Sequence, residues 1–523
     1  MRTLRSLATI LLSGCAWAAF AQAQEPKSRD RVEILNADRW EYDKELATGA
    51  QRLIGNVRFR QDDALMACDS AYLYEDERVS AFGNVRLTQG DTLRITGERL
   101  LYSGADRTAR MSGNVHLSDP GMELTTEALL YDVRGHRAEY NAGARIISKR
   151  DGNTLTSGKG AYYADSRLFI FSDSVRLSHP ERTIEADTLH YATASGIAEF
   201  LGPTHITQGK VRMYCERGSY NTRTGKGRFT KAARIASEGQ VLTGDSLHYD
   251  RTTGEGAGWG HVSITDTVND LLVRGRIGRH NQTDGRSMVT GRAEMVMIMG
   301  DDSLFLHADT LFAKQDSLGQ RRVDARRNVR FFKSDLQGVC DTMTYVGADS
   351  LITLRGHPFI WSRTDQISGD TVRIKLRDGH AETLFVDGAA FMISQVDSLH
   401  FNQVTGLTMI GRFHNDELTE LIAEGNSRTV YFAKETKDSV EQVTGVNRTD
   451  CSRITVGLDS GKVSTVSFIT QPTATLYPLD QAPIEELRLE GFHWNAAARP
   501  EDRADIFRET PVGEVPVASG GPK

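Results

Sequence analysis

The chain repeats one short pattern at a nearly constant interval. An acidic residue is followed by apolar positions and closed by a tyrosine, as in "CDSAYLY", "TEALLY" and "GDSLHY". The closing tyrosines are Tyr42, Tyr74, Tyr102, Tyr131, Tyr163, Tyr191, Tyr220 and Tyr249. Successive tyrosines are separated by 32, 28, 29, 32, 28, 29 and 29 residues. Such a fixed period is typical of a stack of similar units in which each unit contacts its neighbours.

A second phrase, Gly-Asn-Val, opens an alternating stretch in several repeats. It occurs at residues 55–57, 83–85 and 113–115, and Val85-Arg86-Leu87-Thr88 is one such stretch. Alternation with period two indicates a β-strand with one buried face, and glycine permits a bend. Apolar residues at helical spacing are almost absent. The sequence therefore predicts an all-β fold, an elongated, open jellyroll or solenoid-like stack of repeats of about 30 residues.

The pattern divides the chain into five predicted segments. Residues 1–23 are predicted to be a signal peptide. Residues 31–250 carry the regular repeats, and residues 251–400 continue them in a more divergent form. Residues 401–500 read as pairs of strands around polar turns, which predicts a small C-terminal β-hairpin unit. Residues 501–523 are polar with Pro and Gly, and we expect a disordered tail.

The N-terminal segment leaves two processing routes open. Arg2 and Arg5 precede an apolar run and the small-residue stretch "SGCAWAAFAQAQ", so the protein is predicted to be exported. Cleavage near Ala21 or Ala23 is favoured because the sequence stays apolar after Cys15. The alternative is lipidation of Cys15 within a lipobox-like sequence. No later run reaches the roughly 20 apolar residues that span a bilayer.

Charge and motif content argue against several classes of function. Lys plus Arg total 63 against 69 for Asp plus Glu, a net charge of -6 without a basic stripe, so we expect no nucleic-acid partner. No nucleophile, base or metal-ligand set departs from the repeat, so we expect no enzyme, no cofactor and no metal. The glycines of "GEGAGWG" at residues 254–260 miss dinucleotide-binding spacing and predict turns or close strand packing. Acidic residues at one repeat position, such as Asp38, Asp69, Glu98 and Asp187, are interpreted as turn or strand-edge elements.

Three cysteines occupy one position of the repeat. Cys68, Cys215 and Cys340 each precede an acidic residue where other repeats have alanine or glycine. A position that accepts only small residues predicts a tight, buried contact. These cysteines are four or five repeats apart, which predicts separations of roughly 19 Å or more against a disulfide limit of about 7 Å. We therefore expect free thiols.

The pairing of "ADxLxY" with "GNVxLxxGD" resembles the organic-solvent-tolerance (OstA) domain of the lipopolysaccharide-transport bridge protein LptA and of the LptD N-terminal domain. The resemblance covers roughly residues 31–400 and is strongest over 37–250. It implies an open, twisted β-jellyroll in the periplasm whose apolar interior shields lipid acyl chains. The chain resembles the bridge proteins of this family more closely than it resembles the translocon. It has about twice as many repeats as the smaller members of the family.

The resemblance implies a non-enzymatic protein that binds lipopolysaccharide or a related glycolipid and moves it toward the outer membrane, in outer-membrane assembly. Other β-jellyroll transport components (LptC- or LptD-like) are the implied protein partners, through head-to-tail contact of edge strands that includes residues 32–42. Association with the outer membrane would follow from lipidation of Cys15. Two alternatives stay open: an envelope scaffold without ligand, and a carbohydrate-active β-solenoid enzyme with paired acidic residues.

The apolar face of the alternating strands supplies the candidate ligand-binding residues. These apolar-trough candidates are Val57, Phe59, Val85, Leu87, Leu93, Ile95, Val115, Leu117, Val175 and Leu177. From the residues alone, a filled core explains them best. The resemblance favours a lipid-lined trough, since burying each CH2 of an acyl chain contributes ~0.8 kcal/mol without any directional partner.

Overall fold

The fold comes from a computed structural model of the 523-residue chain. It describes residues 31–42, 49–150, 152–268, 270–299, 302–315, 320–378, 380–414, 417–437, 440–459 and 462–509. The predicted signal peptide and Cys15 lie outside the described residues. The chain separates into two compact units, unit 1 (Met1–Ala142) and unit 2 (Gly143–Lys523). The predicted boundaries at residues 250 and 400 stay predictions.

Unit 1 consists of nine strands joined mainly by short turns. The strands are β1 (Glu33–Asn36), β2 (Arg39–Tyr42), β3 (Gln51–Gln61), β4 (Ala64–Leu73), β5 (Arg78–Gln89), β6 (Leu93–Ser103), β7 (Thr108–Ser118), β8 (Met122–Asp132) and β9 (Arg137–Tyr140). Each strand from β3 to β9 pairs antiparallel with the one before it, and β1 and β2 both pair with β3.

Unit 2 continues the same construction. Its strands are β10 (Ala144–Ser148), β11 (Thr154–Ser157), β12 (Lys159–Tyr163), β13 (Leu168–His179), β14 (Arg182–Ala192), β15 (Ile197–Gln208), β16 (Val211–Asn221), β17 (Lys226–Ser237), β18 (Gln240–Asp250), β19 (Glu255–Asp266), β20 (Leu271–Asn281), β21 (Arg286–Met299), β22 (Asp302–Gln315), β23 (Arg321–Lys333), β24 (Leu336–Val346), β25 (Leu351–Arg355), β26 (Phe359–Ser362), β27 (Asp365–Ser368), β28 (Thr371–Arg377), β29 (His380–Gln395), β30 (Phe401–His414), β31 (Glu417–Lys437), β32 (Val440–Asp459), β33 (Lys462–Ile469) and β34 (Thr473–Pro478). Three short 3-10 helices follow at Leu479–Gln481, Ala496–Ala498 and Ala504–Phe507.

A bend interrupts strands β3, β5 and β7 at the Gly-Asn-Val phrase. In β5 the register shifts between Phe82 and Val85, and the intervening Gly83 and Asn84 both have positive φ, 73° and 45°. Glycine adopts this left-handed conformation freely, and asparagine tolerates it better than most residues do. The bend separates each strand into a segment on the side of the repeat tyrosine and one on the side of the Gly-Asn-Val valine. We call these the tyrosine half and the valine half.

The two halves carry separate inward rows of apolar side chains. In unit 1 each row runs through directly paired residues of β3 to β8, and every member is buried. The valine-half row is Phe59, Met66, Leu87, Ile95, Leu117 and Leu124, and the tyrosine-half row is Leu53, Ala71, Ala81, Leu100, Met111 and Leu129. Large apolar side chains therefore occupy the interior of unit 1.

Side chains bridge the free ends of the two halves, a region that we call the mouth. In unit 1, Arg107 Nη1 lies 2.6 Å from Asp62 Oδ2, and Tyr131 donates to Gln89 over 2.6 Å. In unit 2, the Arg251–Glu181 ion pair spans 2.7 Å, as does the Arg321–Asp266 pair. These bridges hold the two halves together at intervals along each unit.

A C-terminal strap, residues 483–509, crosses the outer face of unit 2. Three buried glutamines on that face hydrogen-bond it. Gln403 Oε1 accepts from Leu489 N (2.9 Å), Gln366 Nε2 donates to His493 O (2.7 Å), and Gln337 Oε1 accepts from Arg499 Nη2 (2.6 Å). Leu487 and Leu489 complete an outer hydrophobic core with Phe391, Ile393, Val430, Phe432 and Val446.

The strap corrects one expectation from the sequence. Residues 501–509 belong to the predicted disordered tail, but they pack against unit 2. Ile506 is fully buried, and Arg503 Nη2 donates to Glu294 Oε1 over 2.9 Å. Burial of apolar surface and a charge-assisted hydrogen bond order this segment. Residues 510–523 lie outside the described residues.

The all-β, antiparallel, repeat-built architecture is confirmed. Strands β30, β31 and β32, in the predicted hairpin unit, pair in sequence with one another, and β30 also pairs with β29. Cys68, Cys215 and Cys340 are buried free thiols, as predicted. Among the residues that the structure describes, no helix has the length and apolar character needed to cross a membrane.

Candidate functional site

The ten predicted trough residues all point inward. Each is buried, with exposed fractions between 0% and 8%. In unit 1, Leu87 pairs directly with Ile95, which pairs with Leu117 on the next strand. In unit 2, Leu177 of β13 pairs with Leu155 of β11. A side-chain core and an apolar trough would both place these residues here, so their contact with lipid stays a prediction.

A cavity opens farther along the chain, within unit 2, and we call it the unit 2 cavity. Its volume is 430 Å³. The valine half contributes the directly paired row Ile235, Leu242, Ile264, Val273 and Met295. The tyrosine half contributes a second paired row, Tyr249, Gly256, His280, Ser287, Ala313 and Val323. The cavity therefore lies between the two halves, with one apolar wall and one mixed wall.

Gly256 accounts for much of the open space. A Cβ atom added there would meet nothing nearer than His280 O and Leu242 Cδ2, both at 3.9 Å. At Gly258 the corresponding space is already filled, because an added Cβ would lie 3.0 Å from Leu247 Cδ2. The predicted role of the "GEGAGWG" glycines in turns and close strand packing holds for Gly254 and Gly258. The opening at Gly256 was not predicted. The glycine run is the one sequence feature that could have indicated it.

A second opening of 820 Å³ borders the unit 2 cavity and shares residues such as Arg279, Met288, Phe312 and Lys314 with it. Charged side chains surround it, and several are neutralised locally. The ion pairs are Lys226–Asp250 (3.2 Å), Arg286–Asp284 (2.8 Å) and Arg322–Asp324 (2.9 Å). Within the described part of the chain, Arg279 and Lys314 form no ion pair. Arg279 and Lys314 adjoin the inward-facing His280 and Ala313 in their strands, so their side chains point to the opposite face of the sheet from the unit 2 cavity.

Two titratable groups of the cavity lining, His280 and Tyr249, favour their neutral forms. Burial lowers the pKa of His280, whose Nδ1 lies 2.9 Å from Ser287 Oγ. Burial also raises the pKa of the Tyr249 hydroxyl. His280 and Ser287 are directly paired across β20 and β21, so their hydrogen bond is an ordinary cross-strand contact. Neutral groups at these two positions suit an apolar ligand, which requires no charged partner.

The recurring acidic residues serve the bends. Asn56 Nδ2 donates to Asp38 Oδ2 (2.8 Å) and Asn84 Nδ2 donates to Asp69 Oδ2 (2.8 Å). Asn114 Nδ2 donates to Glu98 in the same way. Each carboxylate thus fixes the asparagine of the neighbouring left-handed bend, which agrees with their interpretation as turn elements. Among the described residues, no group of three or more His, Cys, Asp or Glu side chains could hold a metal ion.

Comparisons with known proteins point to one family. A family model described as "OstA-like protein" matches residues 29–187. The solved structures that match include LptH from Pseudomonas aeruginosa, described as the LptA-homologous periplasmic component of the conserved lipopolysaccharide transport device. That match has 12% sequence identity and a TM-score of 0.21, and it covers 27% of this chain and 95% of the LptH chain. No curated protein matches the chain. At this TM-score the structural match carries no weight, but the sequence match over residues 29–187 confirms the resemblance to the OstA-like family in that part of the chain.

Proposed function

We propose that the protein is a non-enzymatic periplasmic component that binds lipopolysaccharide or a related glycolipid and moves it toward the outer membrane. The observation that carries the proposal is the unit 2 cavity, an opening with an apolar wall between the two halves of the antiparallel fold. Acyl chains suit the apolar wall. The match of residues 29–187 to the OstA-like family model also supports the proposal.

The strand edges support the proposed protein partners, other β-jellyroll transport components. Strands β1 and β2 both pair with β3, and they expose Leu35, Trp40 and Tyr42 at 45%, 58% and 56%. An edge with exposed apolar side chains is a template for β-strand addition. We propose that this edge receives the partner. Membrane tethering through Cys15 remains the alternative to simple cleavage.

Mass spectrometry of lipids that remain bound to the protein after purification from its native envelope tests the proposed ligand. Lipid A-containing species are expected at a fixed ratio to protein, and a Gly256→Leu variant should retain less. A preparation without glycolipid, from cells in which the protein is abundant and folded, would contradict the proposal.

The scaffold alternative also has an observation in its favour, since large side chains fill the interior of unit 1. It predicts that no lipid co-purifies and that Gly256→Leu changes nothing but local stability. The same mass-spectrometric comparison therefore separates a scaffold from a lipid carrier.

A further inference from the structure

We propose that the outer face of the tyrosine half of unit 2 binds an anionic oligosaccharide. The site is the outward side of the 820 Å³ opening between β17 and β23, and we call it the outer groove. Its side chains point away from the unit 2 cavity. The proposal therefore goes beyond lipid binding and does not rest on it.

One row of directly paired residues forms the floor of the outer groove. The row is His248, Ala257, Arg279, Met288, Phe312 and Asp324, and every member lines the opening. Leu247 and Leu311, which adjoin the row in their strands, are buried, so alternation places the row on the outer face. Six strands contribute to it, which gives a length of roughly 24 Å and suits an elongated ligand.

Aromatic rings lie near both ends of the row. The ring of Trp259, which is half-buried, has its centre 4.7 Å from that of His248. Phe312, also half-buried, lies near the other end, and the guanidinium of Arg326 is 4.7 Å from the centre of its ring. The C–H groups on the faces of sugar rings carry slight positive charge, so they pack well on the negative faces of aromatic rings.

The charge of the lining favours an anionic sugar. Six cations line the opening, namely Lys226, Arg279, Arg286, Lys314, Arg322 and Arg326, against four acids, Asp250, Glu255, Asp284 and Asp324, which leaves two positive charges in excess. Arg279 lies within the row, is exposed and forms no ion pair among the described residues. Its planar guanidinium can donate two hydrogen bonds to one carboxylate or phosphate.

The polar groups beside the row disfavour other kinds of ligand. An apolar ligand would cover the Lys226–Asp250 and Arg322–Asp324 ion pairs without replacing their contacts with water, which costs free energy. A β-strand from a partner protein could not join here by backbone pairing, because β19 to β22 already pair with a strand on each side. A ligand rich in hydroxyl groups matches the mixture of aromatic rings, donors and acceptors.

Calorimetry with the purified full chain and sugars of matched length tests the ligand class. Tetragalacturonate, which carries carboxylates, should bind at least tenfold more tightly than the neutral maltotetraose, and this preference should shrink as salt rises. Lipopolysaccharide stripped of its acyl chains supplies phosphate on sugar instead, and the tighter of the two anionic probes identifies the source of the charge. Inorganic phosphate that binds as tightly as both would overturn the proposal, because the sugar rings would then contribute nothing.

Variants locate the site on the outer face. Arg279→Gln should weaken binding of the tighter anionic probe about tenfold, whereas Arg279→Lys should lose less because it keeps the charge. Arg234→Gln, at an exposed position on the outer face of the valine half, should leave the affinity unchanged. Equal affinities for Arg279→Gln and the original protein would exclude the outer groove.

The aromatic contribution has its own matched pair of variants. Trp259→Ala should weaken binding of every sugar probe, including maltotetraose, and Trp259→Phe should restore most of it. Tyr214, whose ring centre lies 5.0 Å from that of His205, forms a comparable aromatic pair on the outer face of the valine half. Tyr214→Ala should therefore have no effect, and an equal loss in Tyr214→Ala and Trp259→Ala would contradict the assigned site.

Failure of this inference is distinguishable from failure of the proposed function. Glycolipid that co-purifies with a protein that binds none of the anionic sugars would contradict the outer groove alone. Sugar binding with the stated variant pattern, without co-purified glycolipid, would contradict the glycolipid proposal alone.

Discussion

At the scale of single residues, the Gly-Asn-Val phrase is a conformational requirement of the bend. Asn84 has φ of 45° and donates to Asp69, so one side chain both tolerates the left-handed backbone and joins two neighbouring strands. The same pairing occurs at Asn56 and Asn114. The acidic residue and the asparagine that recur in the sequence therefore form the same hydrogen bond in each of these repeats.

Replacement of Asn84 tests this account. Asn84→Ala places a Cβ-bearing residue without a hydrogen bond in the left-handed region, and the expected loss in free energy of unfolding is about 2 kcal/mol. Asn84→Gly keeps the backbone freedom and should lose about 1 kcal/mol or less. Urea denaturation of both variants measures the difference. Equal stability of the two would mean that the left-handed backbone imposes no cost.

His307 provides a test that depends on pH. Burial lowers its pKa, which Arg292 and Arg330 lower further, while the hydrogen bond to Ala293 O and the charge of Asp309 oppose this. The unfolded chain therefore takes up the proton first as pH falls below about 6.5. The stabilisation is present above that pH and is lost as pH falls toward the pKa of the folded state.

The expected result is a smaller pH dependence in His307→Gln than in the original protein. The free energy of unfolding should fall less between pH 7.5 and pH 5 in the variant. His414, on an exposed strand end, supplies the control His414→Gln. A pH profile that is identical in His307→Gln and the original protein would show that His307 does not contribute.

At the scale of elements, buried glutamines of the sheet hold the strap in place by hydrogen bonds. Gln366 is fully buried and accepts from Trp361 Nε1 (3.0 Å) and Asn495 N (2.8 Å), while it donates to His493 O. Removing such a side chain leaves buried polar groups without partners. The strap therefore depends on polar contacts as well as on its apolar core.

Gln366→Ala should reduce the free energy of unfolding of unit 2 by about 2 to 4 kcal/mol. Gln395→Ala, at an exposed position of β29, should stay within about 0.5 kcal/mol of the original protein. Thermal or chemical denaturation compares the two. Equal effects would contradict the role of the glutamine contacts.

The strands were predictable because alternation and turn residues are local signals. The bends of unit 1 followed from the visible Gly-Asn-Val phrase. The strap was not predictable, since Gln337, Gln366 and Gln403 look like ordinary polar strand residues until their partners more than 80 positions away are known. The unit 2 cavity escaped prediction for the same reason, because its size depends on which side chain of the valine half faces Gly256.

At the scale of the whole molecule, the account predicts association through the N-terminal edge. Deletion of residues 31–42 removes Leu35, Trp40 and Tyr42 and should abolish binding to β-jellyroll partner proteins or to a second copy. The β content, measured by circular dichroism, should remain close to that of the original chain. Partner binding of equal strength after the deletion would place the contact elsewhere.

The central claim is that a lipid contacts the inward faces of the strands, and photo-crosslinking in living cells tests it most directly. A photoreactive residue at Val85 or Leu87, or at Leu242 in the unit 2 cavity, should capture lipopolysaccharide or a related glycolipid. The same residue at the outward neighbours Arg86 and Thr243 should capture little. This alternation is the predicted result, whereas adducts of equal strength on both faces, or on neither, would contradict the account.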